Sequence, residues 1–320
     1  MEQSGIRVVD LMITGVCNLN CPFCYGPDPN DPVSLTEDQA TVLIDFLRDH
    51  GVEGVVIAGG EPTLSPILDH TVQHLVASDM WVALQTNATR PHRLANLLHN
   101  LNWIALPLDS VSDRAGLAMR TAKNHHRNFM RFAQSSQMQQ ARENGTALKI
   151  GTVVTRENID EIGRIGESIQ SIMPDVWKLY EFRSRGAGRI NATALELPQT
   201  TFLQVAEEAQ NRFPDLEIVI SPAEVSLNAY LIINPDSTLL IPQRDSYLSF
   251  GRLVIDDCTT REDVWASAAR ALSVGKLSRN VAASFPEKNP WASGIDEVDR
   301  GLDVAVEGIT PTTVFDRDGR

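Results

Sequence analysis

Positive charge is in short supply in this chain. Its 28 lysines and arginines face 41 aspartates and glutamates, giving a net charge of −13 at pH 7. Such a chain lacks the basic face that a nucleic-acid surface needs, and its acidity serves solubility instead. Long apolar runs are missing too: no stretch approaches the roughly 20 apolar residues of a membrane-crossing helix. No internal repeat or low-complexity tract is legible in the 320 residues. Cysteine is scarce at four residues, three of them crowded into one loop, which argues against a disulfide scaffold. With no secretory leader legible, the expected setting is a reducing cytoplasm. The 42% hydrophobic and 22% charged residues suit a globular chain of one large domain, or one domain with an appendage.

What is present is concentrated in that loop. Cys17, Cys21 and Cys24 follow a C-x3-C-x2-C spacing. Electron-transfer clusters take four cysteines, and the only other one, Cys258, is more than two hundred residues away. Three thiolates leave a [4Fe–4S] cube with one open iron, able to bind a small molecule. A structural zinc or plain buried thiols are the alternatives. Zinc wants four closed ligands, usually as two pairs, and no partner pair or nearby histidine follows Cys24.

A second motif, Gly59-Gly60-Glu61-Pro62, follows the apolar run at 54–58, which reads as a buried strand. Glycines at a strand end let the backbone approach a ligand closely. Placed one β/α unit after the cysteine loop, it closely resembles the radical S-adenosylmethionine (SAM) superfamily. The resemblance spans residues 6–185. It implies a [4Fe–4S] cluster on the three cysteines and SAM chelated to the open iron, with Gly59–Pro62 near its amino group. It also implies reductive cleavage to methionine and a 5′-deoxyadenosyl radical. Tyr25 matches the family's aromatic position near adenine, with ordinary packing as the alternative.

Apolar segments alternate with amphipathic ones. Strands are expected at 8–14, 54–58, 81–86, 103–108, 147–154 and 177–182, and helices at 36–50, 66–78, 91–100, 126–144 and 158–172. Six such units imply parallel strands with outer helices. The fold class is therefore α/β, a partial (β/α)6 TIM-type barrel over residues 1–195. A C-terminal α+β extension (196–320) follows: a helix at 200–212, a hairpin at 230–242, a helix at 260–272 and an irregular tail at 285–320. It is expected to cover the barrel mouth. Barrel sites gather where strands end, which brings Thr86, Asn87 and Asp109 to the same lip as the two motifs.

After the sixth strand, Arg183, Arg185 and Arg189 alternate with Gly186 and Gly188. The loop reads as an anion clamp or as a solvated basic loop. Lys149 and Lys178 stand within strands, where a lysine wants a partner or an anionic ligand. The segments 147–161, 176–182 and 229–233 look like those of viperin-type enzymes, which dehydrate nucleoside triphosphates. That resemblance puts Lys149 and Lys178 on phosphate-contacting positions, Tyr230 near the sugar, and Arg120 at the carboxylate of SAM. Gly151 and Val176 depart from it, standing where those enzymes carry asparagine and arginine.

The expected activity is hydrogen abstraction from a small anionic substrate, with a nucleotide first. A flavodoxin- or ferredoxin-type reductant is implied. The alternative is an epimerase, decarboxylase or dehydrogenase of a sugar or nucleoside intermediate, with Cys258 as hydrogen donor. One spare cysteine cannot ligate the extra clusters common in peptide-modifying relatives. Other classes remain, a cluster-bearing sensor and an activase of a partner protein.

Overall fold

The computed structural model describes residues 6–26, 33–227, 229–254, 256, 259–272 and 312–314. Cys258 and all of the 285–320 tail except 312–314 lie outside the described residues.

Among the described residues, eleven strands form one sheet in the order β11-β10-β9-β8-β1-β2-β3-β4-β5-β6-β7. The first six are β1 (Val8–Met12), β2 (Gly54–Ala58), β3 (Trp81–Gln85), β4 (Trp103–Pro107), β5 (Ala147–Val154) and β6 (Val176–Glu181), paired in parallel from neighbour to neighbour. Between them run α1 (Glu37–Asp49), α2 (Leu68–Ala77), α3 (Asp113–Arg120), α4 (His125–Ala133), α5 (Ser136–Glu143) and α6 (Ile162–Gln170). This is the expected partial barrel.

The sheet continues past residue 195 on both edges. After the short helices α7 (Ala187–Ile190) and α8 (Ala192–Leu195) comes α9 (Gln199–Arg212), then β7 (Ile218–Ser221), which pairs in parallel with β6. The chain then crosses to the opposite edge, where β8 (Leu231–Ile233) runs parallel to β1. The β-branched run Ile218-Val219-Ile220 and the apolar Leu231-Ile232-Ile233 cover edges that would otherwise expose unpaired backbone. The expected hairpin is present as β8 with β9 (Thr238–Pro242), and Ser237 takes φ 67° at its turn. β10 (Tyr247–Arg252), α10 (Glu262–Ala271) and β11 (Thr312–Val314) complete the described elements.

Three expected elements differ. The segment 91–100 is not one helix but two 3-10 turns, Pro91–Arg93 and Leu98–Asn100, and Arg90 offers no side-chain cap to start an α-helix. The segment 126–144 breaks at Ser135, whose hydroxyl accepts the Met138 N–H and opens a new helix. The first strand stops at Met12 because Thr14 turns away to bridge Ser34.

Alternation along the strands sorts two cores. Val9, Leu11, Ile13, Val55, Ile57, Val82, Leu84, Ile104, Leu106, Leu148 and Ile150 pack outward in one cluster with the helices. Inward, Val8, Val56, Ala83, Trp103, Ala147 and Val176 close the lumen floor, with Trp81 and Val219 against them. Above that floor the inward residues Asp10, Gln85, Ala105, Gly151 and Tyr180 are only half-buried, so the lumen is open to solvent.

Candidate active site

The cysteine loop and the glycine turn are laced together by backbone. The Gly60 N–H donates to the Thr14 carbonyl at 2.7 Å and the Glu61 N–H to that of Val16 at 2.8 Å. No side chain fits at either glycine. A Cβ on Gly60 would lie 2.3 Å from the Val16 carbonyl oxygen, and Gly59 has φ +149° with a Cβ position 2.5 Å from that of Thr14.

The Glu61 carboxylate is wholly engaged within the protein. One oxygen accepts the Thr63 N–H at 3.0 Å and the hydroxyls of Thr63 and Thr86 at 2.6 Å each; the other accepts the Asn87 N–H at 2.7 Å. Glu61 thus joins the end of β2 to the end of β3. The Asn87 side-chain amide reaches Asn18 of the cysteine loop at 3.0 Å.

Within the loop, the Leu19 N–H donates to Cys17 Sγ and the Gly26 N–H to Cys24 Sγ, both at 3.4 Å. Arg120 approaches Cys21 Sγ at 3.9 Å, pairs with the fully buried Asp109, and stacks over Phe23 at 5.0 Å. Burial alone would lower the pKa of Arg120; Asp109 and the Cys21 thiol raise it instead. Burial pushes the Cys24 thiol up to about 11, and Cys21 and Cys17 push the same way.

These residues fit the implied cluster. Coordination deprotonates a thiol outright, removing the penalty of crowding, and amide hydrogen bonds to sulfur are a usual feature of such sites. Among the described residues no group of three or more His, Cys, Asp or Glu is placed to hold a single metal ion. Cube ligands each take a different iron and need not converge.

The lumen holds the second set. Lys149 and Lys178 are each 6% exposed. Lys149 Nζ lies 5.0 Å from the Trp103 ring and 5.8 Å from Tyr180, and Lys178 Nζ lies 5.2 Å from Tyr180. Burial holds the Lys178 pKa well below its ordinary value, and Lys149 and Arg183 lower it further. Arg183 donates to the Tyr230 hydroxyl at 3.1 Å and to Ser221 Oγ at 3.3 Å, while its buried Nε has no partner among the described residues.

The three arginines do not converge as a clamp. Arg185 is buried, donates to the Arg244 carbonyl at 3.4 Å and lies over Tyr247 at 5.7 Å. Arg189 is exposed on α7. Gly186 has its own reason for being glycine: with φ +53°, its Cβ position is 2.5 Å from the Cys24 carbonyl oxygen. The arginine loop therefore lies directly against the cysteine loop. Tyr25, 40% exposed, has its carbonyl held at 2.9 Å by the Tyr247 hydroxyl from β10.

Sequence reasoning missed Asp10, Tyr180 and Tyr247. Asp10 was findable as the sole charged residue of the run at 8–14. Tyr247 joins the site only through the fold.

Residues 11–169 match the Radical SAM superfamily. An S-adenosylmethionine-dependent nucleotide dehydratase of Flammeovirga pacifica is 24% identical over 243 residues, 72% of this chain and 81% of that protein. A PqqA peptide cyclase of Streptomyces rochei is 29% identical over 207 residues, 62% of this chain but 54% of that longer protein. The solved structure of Streptococcus suis SuiB bound to S-adenosylmethionine superposes with a TM-score of 0.61 at 15% identity, over 74% of this chain and 60% of that one. That structural likeness concerns the fold, and this chain spans less than two thirds of SuiB and of the cyclase. From its matched core and three-cysteine loop, the chain belongs to the radical SAM superfamily, whose cofactors are a [4Fe–4S] cluster and SAM.

Proposed function

We propose that this enzyme abstracts a hydrogen atom from the sugar of a nucleoside phosphate. The sugar radical then loses a protonated hydroxyl as water and takes up a second electron from the same external reductant, completing a dehydration. Cys17, Cys21 and Cys24 would hold the cluster. Gly59–Pro62, Thr86, Asn87, Tyr25 and the Asp109–Arg120 pair would cradle SAM. The observation that carries the reading is the cation set of the lumen: Lys149 and Lys178, nearly buried on β5 and β6 below the cysteine loop, with Arg183 beside them. Buried cations crowded together favour an anionic ligand, because its charge offsets both desolvation and mutual repulsion. The resemblance to nucleotide dehydratases supports the same substrate class.

Held by these residues, the cluster and SAM would supply radical hydrogen-abstraction chemistry, with electrons from a flavodoxin- or ferredoxin-type donor. The protein's own contribution is placement. Arg120, oriented by Asp109 beside Cys21, would receive the SAM carboxylate. Glu61 fixes the turn whose backbone would meet the SAM amino group. Lys149, Lys178 and Arg183 would draw the phosphate end toward the floor, leaving the sugar under the cysteine loop near Tyr230. The apolar floor of Trp81, Trp103, Val8 and Val56 limits how deep an anion can pass. A reducing cytoplasm would keep the three cysteines available to the cluster.

The test is 5′-deoxyadenosine formation by the anaerobically reconstituted, reduced protein with a panel of nucleotides and sugar nucleotides. The expected result is strong stimulation by one nucleotide, lost in Cys21→Ala. A slow basal rate that no nucleotide raises would sink the substrate class while leaving the family untouched.

A further inference from the structure

The lumen contains a charged group that the reading above does not use. Asp10 sits on β1 between the inward residues Val8 and Met12. Its partners in register are Val56 on β2 and Ile232 on β8, both apolar. The charged groups acting on it come from across the lumen, Lys149 on β5 and Lys178 on β6. Arg183 bears on Lys178, and Asp10 itself bears on the Tyr25 phenol, together with Tyr180, Tyr230 and Tyr247. Between the carboxyl and the lysines the inward wall mixes large residues, Gln85 on β3 and Trp103 on β4, with small ones. Ala83 and Ala105 stand on β3 and β4, and Gly151 on β5, where a Cβ would press to 3.2 Å from the Tyr180 ring. One carboxyl and two lysine side chains thus face the same lumen.

We propose that Asp10 makes anion capture in this lumen proton-coupled: the anionic end of the substrate settles beside Lys149 and Lys178 as Asp10 takes up one proton. The idea rests on the reading that those lysines receive the substrate's anion. As a carboxylate, Asp10 repels an incoming anion across the same space and subtracts from the charge of the lysine pair. As a neutral acid it does neither, and its hydroxyl becomes a donor toward the anion or the adjacent sugar. Burial already lifts its pKa from 3.8 to about 6, against the pull of both lysines. A bound anion adds repulsion and lifts it further. Affinity for anions is then greatest below pH 6 and declines as pH rises through neutrality. The most highly charged ligands lose most, because each additional charge meets the same carboxylate.

The experiment uses sulfate, which remains a dianion across the range, so that only protein groups titrate. Calorimetry on the reconstituted full-length holoenzyme, in buffers of differing ionisation enthalpy, counts protons taken up on binding. The wild type is expected to take up about one proton per sulfate near neutrality and to lose affinity by up to roughly tenfold per pH unit above pH 6. Asp10→Asn is expected to bind more tightly at pH 7 with no proton uptake and a flat profile. Asp10→Ser, with unchanged iron and sulfide content, should behave alike and exclude an effect of the amide.

Retention of the wild-type slope in Asp10→Asn overturns the proposal and assigns the proton to Lys178. A wild type that binds sulfate without proton uptake overturns it too, while leaving the lumen lysines as the anion site. Absence of sulfate binding at every pH overturns both this inference and the lumen-anion reading on which it rests.

Discussion

Over β1–β4 the barrel mouth is shaped by backbone, whereas the wall at β5 and β6 is shaped by charge. In the first region two glycines admit no Cβ, and one buried carboxylate accepts four hydrogen bonds. The Glu61 carboxylate is satisfied before any ligand arrives. In the second region Lys149 and Lys178 act on one carboxyl, Asp10 of β1, and Arg183 bears on Lys178. A satisfied cradle suits a cofactor common to a whole superfamily, since it positions the same molecule whatever follows. An unbalanced lumen suits a substrate whose own charge completes the site. The comparison can be broken or sharpened by substitutions on each side.

The largest effect belongs to the cradle. Cys21→Ala is expected to abolish 5′-deoxyadenosine formation with loss of cluster iron. Gly60→Ala is expected to come close to that, because its methyl would sit 2.3 Å from the Val16 carbonyl oxygen and something must move. Full SAM cleavage by Gly60→Ala would break the claim that backbone shape defines this side.

Next comes the lumen. If Lys178 holds the substrate's anion as proposed, Lys178→Met removes a charge-assisted contact worth about 1.5–3 kcal/mol, and substrate KM should rise roughly 10–100-fold. Its thermal midpoint should hold or increase, since burial penalises the lysine's charge in the absence of substrate. A midpoint that falls sharply would mean that the lysine is structural, and the contrast between the two regions would fail.

The legibility of the two regions follows from the same difference. Cys17–Cys24 and Gly59–Pro62 are short contiguous motifs because the backbone that shapes a cradle is local, so the sequence displayed them directly. Lys149 and Lys178 were visible as charges out of place in apolar strands. Their counter-charge Asp10 stands well over a hundred residues away, and only the curl of the sheet brings it opposite them. The arginine loop misled because spacing records proximity in the chain and not direction: Arg183 enters the lumen, Arg185 is buried beside Tyr247, and Arg189 is exposed. The expected hairpin includes β8, but the six-unit count does not show that β7 and β8 extend the parallel sheet, because each is only three or four residues long and takes its register from the strand beside it.

A smaller effect reads the charge imbalance as stability. The folded pKa of Asp10, about 6, is raised above its ordinary 3.8, so its contribution is fully present below the unfolded value and is lost as pH rises through 6. Asp10→Asn escapes that loss. It should be more stable than wild type at pH 7 by about 1–3 kcal/mol, with the gap closing by pH 4 in denaturation curves. A variant less stable than wild type at pH 7 would make Asp10 a net stabilising partner of the lysines.

The smallest effect lies where the two regions join. Glu161, in the turn after β5, accepts the Val111 N–H at 2.8 Å, the Ser112 N–H at 3.2 Å and the Ser112 hydroxyl. It thereby braces the start of α3, the helix that ends in Arg120. Burial pushes its pKa up, but the Ser112 hydroxyl and the two amides outweigh it and leave it below its ordinary 4.5. The sign is opposite to that of Asp10: this stability is present above pH 4.5 and is lost as pH falls through the depressed value. Glu161→Gln turns an amide toward three donors and should cost about 1–2 kcal/mol at pH 7, shrinking as the medium is acidified. Denaturation midpoints from pH 7 down to pH 3 test it. KM for SAM should rise only slightly, because Arg120 keeps Asp109 as its partner even when its helix start loosens. If the stability gap does not narrow in acid, the brace works by shape and not by charge, and the ionic contrast between the two regions stops at the lumen wall.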